Sequence, residues 1–373
     1  MMKPMIEIDG AFGEGGGQVL RTALTLATLT GQPTHIRRIR ANRRTPGLAP
    51  QHLTGVQALA RICEADLQGA TLRSTEVVFR PQSGARPGHY RFDVTEAAQG
   101  GSAGSVTLVC QTTLLPLIFA AGPSHLTLQG GTHVPWSPPF DYLVHIYLPT
   151  LVPMGVEASC QLAAWGFYPV GGGEFTVTIA GLESNEKAER GTHPARLPLK
   201  PLTLLERGNL RRVRGVAVAG NLPSHIAQRM TDRASKVLRD AGLRVEIIPQ
   251  RVRCKGAGAG LFLTAEYEHG LAGFSALGKK GKPSEVVADE ACHDLLNHHA
   301  SGAPVDKHLA DQLLLPLALA EGRSQFRTAQ ISRHLLTNAH IIRQFIPARI
   351  EIEGAEGEPG AAVVEGVGFL PEK

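Results

Sequence analysis

Aromatic residues are scarce in this chain: Phe, Tyr and Trp together make up 5% of its 373 residues. No aromatic-rich nucleic-acid-binding motif is visible. Cysteine is sparse too. Cys63, Cys110, Cys160, Cys254 and Cys292 are odd in number and contain no C-x-x-C pair. This argues against zinc fingers and disulfide scaffolds and for free thiols in a reducing cytoplasm. Residues 1–10 carry no hydrophobic leader, so none is expected. The longest apolar stretch, 106–121, is interrupted by Gln111, two threonines and Pro116. It reads as a buried helix rather than a membrane span, and no membrane partner is expected. Charge is not extreme: 19% of residues are charged, and the formal net charge is +5. That balance is compatible with an anionic ligand without requiring one.

Glycine (42) and proline (25) are plentiful, and 43% of residues are hydrophobic. The chain is therefore globular and long enough for two domains. An internal repeat organises it. The runs 20–31, 114–122 and 314–322 are apolar, helix-like and end at Gly31, Gly122 and Gly322, as a helix C-terminus prefers. Strand-like segments follow at 33–36, 123–126 and 323–326, and further apolar runs begin near His52, Asp141 and Asn338. Such self-similarity argues for duplicated structural units. Gly31 and Gly122 lie 91 residues apart but Gly122 and Gly322 lie 200 apart, so about 110 extra residues are accommodated there, enough for a further domain. The polar segment 181–191 reads as a linker. Beyond it 213–219, 245–248 and 261–267 read as strands and 224–241 as a helix. The expected organisation is a large α/β domain, 1–184 plus 278–373, interrupted by a small inserted α/β domain at 185–277.

Three regions point to chemistry. Residues 5–10 read as a strand, then comes Gly13-Glu14-Gly15-Gly16-Gly17-Gln18, then a helix from about Val19. Glycines there let backbone N–H groups approach a phosphate at the positive helix end; a plain tight turn accounts for them equally well. No dinucleotide fingerprint is present, because Gln18 occupies the place of its third glycine. Gly171-Gly172-Gly173 reads as the same device used again. Arg37, Arg38, Arg40, Arg43 and Arg44 crowd together, with Arg38 and Arg40 expected on one strand face. Arg21 lies on the first helix, and Gln51-His52 follow. Guanidinium forks match phosphate oxygens; a solvated edge strand is the alternative.

Lys279, Lys280 and Lys282 precede a helix for which Ser284 is the expected N-cap, where lysines attract phosphates. The segment 273–280 fails the phosphate-loop pattern because Lys280 replaces its hydroxyl residue. His293, His298 and His299 spread around the helix axis and read as a frayed end rather than a metal cluster. Finally, Asp306-Lys307-His308-Leu309-Ala310-Asp311-Gln312 opens an apolar helix. His308, Asp311 and Gln312 share its face. His308 is either a nucleophile or acid–base group oriented by its neighbours, or a helix-start histidine with only local bonds. Residue by residue, this describes a phosphate-handling α/β enzyme.

Taken together, the motifs resemble the RNA 3′-terminal phosphate cyclase family over nearly the whole chain. The matching stretches are Asp9-Gly10 through Gln18-Val19-Leu20-Arg21, Ile39-Arg40 to Arg43, Pro46-Gly47-Leu48 through Gln51-His52-Leu53-Thr54, Gly104-Ser105 to Gln111-Thr112, Gly130-Gly131-Thr132, Gly166 to Gly173 and His308 to Gln312. The resemblance implies a domain of three βαβαββ units like the C-terminal domain of translation initiation factor three, plus the insert. It implies ATP-dependent conversion of an RNA 3′-phosphate to a 2′,3′-cyclic phosphodiester, through a histidine–AMP adduct and an RNA adenylate, with Mg2+ or Mn2+.

His308 matches the family's nucleophile. Gln111, Asp311, Gln312 and the loop Pro283, Ser284, Glu285, Val286 and Val287 match nucleotide contacts. Glu14, Arg21, Arg40, Arg43, Gln51 and His52 match phosphate and RNA contacts, with Glu14 also the expected metal ligand. The partner implied is RNA with a 3′-phosphate end, in the cytoplasm, and a homodimer is compatible with it. Trp165 departs from the family's usual Arg or His, and Phe175 from an aliphatic residue. The rivals are a cyclase-like RNA factor without catalysis, a small-molecule transferase such as an enolpyruvyl transferase, and a plain nucleotide or RNA binder.

Overall fold

The computed structural model describes residues 3–98, 102–182 and 197–371. Its longer helices are α1 (Gly17–Thr30), α2 (Pro50–Cys63), α3 (Val106–Ile118), α4 (Ser224–Asp240), α5 (Ser284–Ser301), α6 (Lys307–Leu319) and α7 (Arg333–Phe345). Together with the strands they give an α/β fold, in which α5 runs directly into α6.

Three sheets share one plan. In the first, Ile6–Asp9 and Thr34–Arg37 are parallel and joined through α1, as a parallel pair requires. Asp66–Gln68 and Val77–Arg80 then complete it antiparallel, with strands standing in the order first, second, fourth, third. His89–Asp93, Ser124–Gly130, Ala158–Ala164 and Gly173–Ile179 repeat that order, and so do Thr203–Leu204, Glu321–Thr328, Arg349–Glu353 and Gly360–Val367. The repeat visible in the sequence is thus a repeat of βαβ-type sheet units. The similar apolar runs are α1, α3 and α6, whose Leu24, Leu114 and Leu314 all lie in one continuous core.

The helix ends differ from expectation. Gly31 is a left-handed cap on α1, but α3 stops at Phe119 and α6 at Ala320. Ala320 turns to an extended conformation, and Gly322 already lies in the next strand. The second glycine triplet also differs. The segment 168–172 is a turn between two antiparallel strands, and Gly173 begins a strand rather than a helix.

The fourth sheet interrupts the third unit between Thr203–Leu204 and α6. Leu210–Gly220 and Val245–Val252 are parallel through α4; Gly258–Tyr267 and Leu271–Leu277 follow antiparallel. Because 271–277 is a strand, no phosphate loop forms there. Ala227, Met230, Ala234 and Leu238 of α4 pack with Val287, Ala288, Ala291 and Leu295 of α5 in a separate core. The expected linker beyond residue 182, and with it the boundary at 185, falls outside the described residues. Thr203–Leu204 pairs with Glu321–Thr328, and α5 packs on the inserted sheet. On this packing we propose that the inserted unit spans 210–301.

That placement changes the reading of α5's ends. Pro283 is its N-cap, so Ser284 is the first helical residue and makes no capping bond. His298 is no frayed end: it is 4% exposed, between the rings of Tyr267 and Phe274. Burial holds its pKa down to about 4. The helix stops only at left-handed Gly302. All five cysteines are free, and among the described residues no helix is long and apolar enough to cross a membrane.

Candidate active site

Four helices bring their first turns to one place. Gly17 opens α1. His52 is the third residue of α2, His308 the second of α6 and His334 the second of α7. A Cβ on Gly17 would stand 2.0 Å from His52 Nε2, and His334 lies 3.5 Å from Glu14 of the preceding loop. The charges of His308, Arg21 and Arg43 are all felt at His334. Helix N-termini carry unpaired N–H groups and partial positive charge, so their convergence is an anion-binding arrangement before any side chain is counted.

The glycines of the first loop acquire a different purpose from the expected one. A Cβ on Gly13 would collide with Thr337, on Gly15 with Asn42, on Gly16 with Arg43 and on Gly17 with His52. Their missing side chains let other residues' side chains descend onto the loop. Gly13 and Gly15 additionally hold φ values of 62° and 58°, where glycine is favoured.

The arginines separate. The strand ends at Arg37, and Arg38 and Arg40 both turn left-handed, with φ of 52° and 54°. They therefore do not share a strand face. Arg38 pairs with Asp9 on the surface. Arg40 bends inward and donates to Gly47 O at 2.8 Å. Arg43 reaches Glu14 at 2.8 Å. Desolvation, then the nearby Arg43, holds the Arg40 pKa down. Desolvation also brings Arg21 to about 10, still charged at neutral pH.

His52 is buried, and Ala49 N donates to its Nδ1 at 3.3 Å. Burial, then Arg21, Arg40 and Arg43, pushes its pKa down to about 3. The ring is thus neutral. With Nδ1 accepting, the proton resides on Nε2, which faces the glycine loop. Gln51 accepts from Ser105 N at 2.8 Å, tying the second unit to this edge.

From the third unit, Asp306 caps α6. Its Oδ1 accepts from the N–H groups of His308 and Leu309, both at 2.9 Å. Tyr142 Oη donates to the same carboxylate at 2.8 Å and Gly273 N at 3.3 Å. This one buried group fixes the backbone that carries His308 to the second unit and to the insert. His308 itself is exposed. The protein around it, more than Asp306 opposes, lowers its pKa from 6.5. The neutral, nucleophilic form therefore prevails at pH 7. The ring forms no hydrogen bond to Asp311 or Gln312. Gln312 instead accepts from Gln111 at 2.6 Å, and Asn338 donates to the Asp311 carbonyl at 2.9 Å.

Asp311 Oδ1 is buried without a hydrogen-bond partner. Desolvation raises its pKa to about 8 against the pull of Arg21. Protonated at neutral pH, it leaves the guanidiniums of Arg21, Arg40 and Arg43 in excess over the single carboxylate of Glu14. The folded value lies above the ordinary carboxyl value of 3.8. Its contribution to stability is therefore full below about pH 4 and is lost as pH rises through about 8. We expect the stability difference between wild type and Asp311→Asn to fall by a few kcal/mol across that window. Urea midpoints at pH 4, 6 and 8 measure it, and parallel pH profiles would rule it out.

Residues 283–287, expected as a loop, are the N-cap and first turn of α5, and no hydrogen bond among the described residues joins them to this cluster. Ser284 and Val287 are buried, Glu285 pairs with Arg229 at 2.7 Å, and Val286 is exposed. Lys282 donates to Leu277 O and pairs with Glu290. Helix α5 reaches the cluster two turns further on, through Asp294, whose charge is felt at His308. Sequence reading missed His334, Asn338 and Tyr142. A signal existed for the first: Ser332-Arg333-His334 repeats the cap, cation, histidine order of Asp306-Lys307-His308. Asn338 also accepts from Thr22 at 2.7 Å.

Among the described residues no group of three or more His, Cys, Asp or Glu side chains could hold a metal ion. Glu14 is a single carboxylate already engaged by Arg43 and His334. It suits a divalent ion shared with ligand phosphates, as Mg2+ usually binds.

The family model described as RNA 3′-terminal phosphate cyclase matches residues 12–352. An RNA 3′-terminal phosphate cyclase of Trichormus variabilis is 53% identical over 94% of this chain and 97% of its own length. One of Methylococcus capsulatus is 50% identical over 97% of each chain, and one of Archaeoglobus fulgidus 41% identical over 94% of this chain and 98% of its own. A solved structure, the enolpyruvyl transferase NikO of Streptomyces tendae, covers 99% of this chain and 50% of that one, at 12% identity and a TM-score of 0.40.

Proposed function

The chain belongs to the RNA 3′-terminal phosphate cyclase family, and from that premise we propose that His308 carries AMP between ATP and the 3′-phosphate end of an RNA. The observation that supports this most is His308 held neutral at a helix start beside an arginine-rich meeting of helix N-termini. A neutral ring nitrogen of His308 attacks the α-phosphorus of ATP. A P–N bond forms, the bond to pyrophosphate breaks, and the ring proton is lost to solvent. An oxygen of the RNA 3′-phosphate then attacks that phosphorus, breaking the P–N bond and giving an RNA adenylate. Last, the adjacent 2′-oxygen attacks the terminal phosphorus, closing the ring and expelling AMP. ATP is needed because a phosphate monoester has no good leaving group.

Asp311 with its unpartnered oxygen, together with Gln111 and Gln312, forms the expected nucleotide side. Residues 283–287, at the start of α5, would join it. Arg21, Arg40, Arg43, Gln51 and the Nε2–H of His52 face the phosphates, where preorganised donors act most strongly in a desolvated place. A divalent ion, Mg2+ or Mn2+, shared between Glu14 and the phosphates would offset charge on the leaving group. The repeat domain is read as the kind found in the C-terminal domain of translation initiation factor three.

The test is conversion of a 3′-phosphate RNA, with ATP, to an end resistant to phosphatase. Charged hydrogen bonds are worth about 1.5–3 kcal/mol. Arg40→Ala and Arg43→Ala are therefore each expected to lower kcat/KM for that RNA by about 10- to 100-fold. Wild-type turnover in both would remove the arginines from the substrate site.

A further inference from the structure

Two exposed aromatic rings stand at the edge of this site, though the sequence shows no aromatic motif. Trp136 is 97% exposed at a turn, and Tyr168 is 64% exposed at another. The turns neighbour each other. Thr132 and His133 both donate to Gly166 O at 3.0 Å, and His133 pairs with Phe167 in parallel, so the two turns leave the sheet in the same direction. Trp136 holds φ at 60°, an outlier for a bulky residue. Burial gives nothing back at a fully exposed ring.

The second turn leads both to the active site and to a cationic edge. A Cβ on Gly171 would lie 2.7 Å from Ser102 O, and one on Gly104 3.3 Å from the Gln51 backbone. Gln51 in turn adjoins His52. On the other side Lys255 lies across Gly172, and Cys254 pairs with Trp165. Arg253 and Lys255 flank Cys254, are exposed and form no ion pair among the described residues. Solvent-exposed rings beside unpaired cations are the chemistry that holds single-stranded nucleic acid: bases stack on the rings while the backbone follows the charge.

We propose that Trp136 and Tyr168, with Arg253 and Lys255, form a platform for the single-stranded RNA upstream of the 3′ end seated at the arginine cluster. This rests on the cyclase reading for the identity of the strand. It makes recognition dependent on length and indifferent to sequence, since every base offers a face to stack.

The test compares anisotropy binding of a labelled RNA of about twelve nucleotides ending in a 3′-phosphate with that of a dinucleotide bearing the same end. Trp136→Ala should bind the longer RNA about tenfold more weakly, Trp136→Phe should restore most of the affinity, and dinucleotide binding should not change. The pair Arg253→Gln and Lys255→Gln should flatten the slope of log affinity against log salt by about 1.4. Unchanged affinity of Trp136→Ala for the longer RNA overturns the platform. So does an equal loss on both lengths, which would place the damage at the end-binding site. Failure of the cyclase reading shows separately, as wild-type protein that binds RNA without cyclising it.

Discussion

His308→Ala protein, incubated with a divalent ion and α-labelled ATP, is expected to take up no acid-labile AMP, while the wild type labels. Cyclisation should fall by at least about a thousandfold, since removal of a covalent nucleophile costs that much or more. The variant should fold normally, because the imidazole is exposed, makes no hydrogen bond among the described residues, and sits on a helix held by Asp306. The reaction should also report the ring's surroundings. Its pKa is lowered from 6.5 by the protein packed about it. The wild-type labelling rate should therefore rise with pH through a value below 6.5 and be flat by pH 7. Label on His308→Ala would move the nucleophile elsewhere, with His334 the next imidazole to replace.

Asp306→Ala should be the most damaging change among residues that touch no substrate. It strands the N–H groups of His308 and Leu309, the Tyr142 hydroxyl and the Gly273 N–H. Burial and the Asp306 charge raise the Tyr142 pKa far above its usual range, so this hydroxyl stays a donor that needs its acceptor. Loss of an N-cap costs about 0.5–2 kcal/mol, and each further buried donor left unpaired about 1–3. A loss of about 3–5 kcal/mol in urea denaturation is expected. Asp306→Asn should recover part of it, because its amide oxygen still caps α6. A loss under 1 kcal/mol in Asp306→Ala would show that the three elements are tied together by apolar packing alone.

Much of this was legible in the residue string, for a physical reason. Where a function is local in the chain, its spacing shows. His308 follows a cap at the start of an apolar helix, and the first loop's glycines adjoin Glu14 and Arg21. Features made by contacts between distant segments left weaker traces. Thr22 and Asn338 meet across 316 residues, and no periodicity reveals such a pair. Arg38 and Arg40 were misread because alternation assumes a strand, and the chain leaves the strand at Arg37. The polar residues near the end of α5 suggested fraying, but His298 points into a second core that becomes visible only when the inserted sheet is assembled. The glycine loop was recognised for the wrong advantage: its glycines are needed at least as much for the side chains that settle on them as for any backbone approach.

The split third unit also sets an order in time. The first two units close through contacts between neighbouring segments, the kind that form early. Leu202 must wait 122 residues for Ser324, with an entire independent core made in between, and α7 must arrive after that to meet α1. A growing chain that has not yet emitted Arg333 possesses Glu14, Arg21, Arg43 and even His308, yet lacks the helix against which Gln18 and Thr22 anchor. On the proposed function, competence therefore waits for α7, and a chain halted before Arg333 should hold much of its core yet lack the contacts that anchor Gln18 and Thr22.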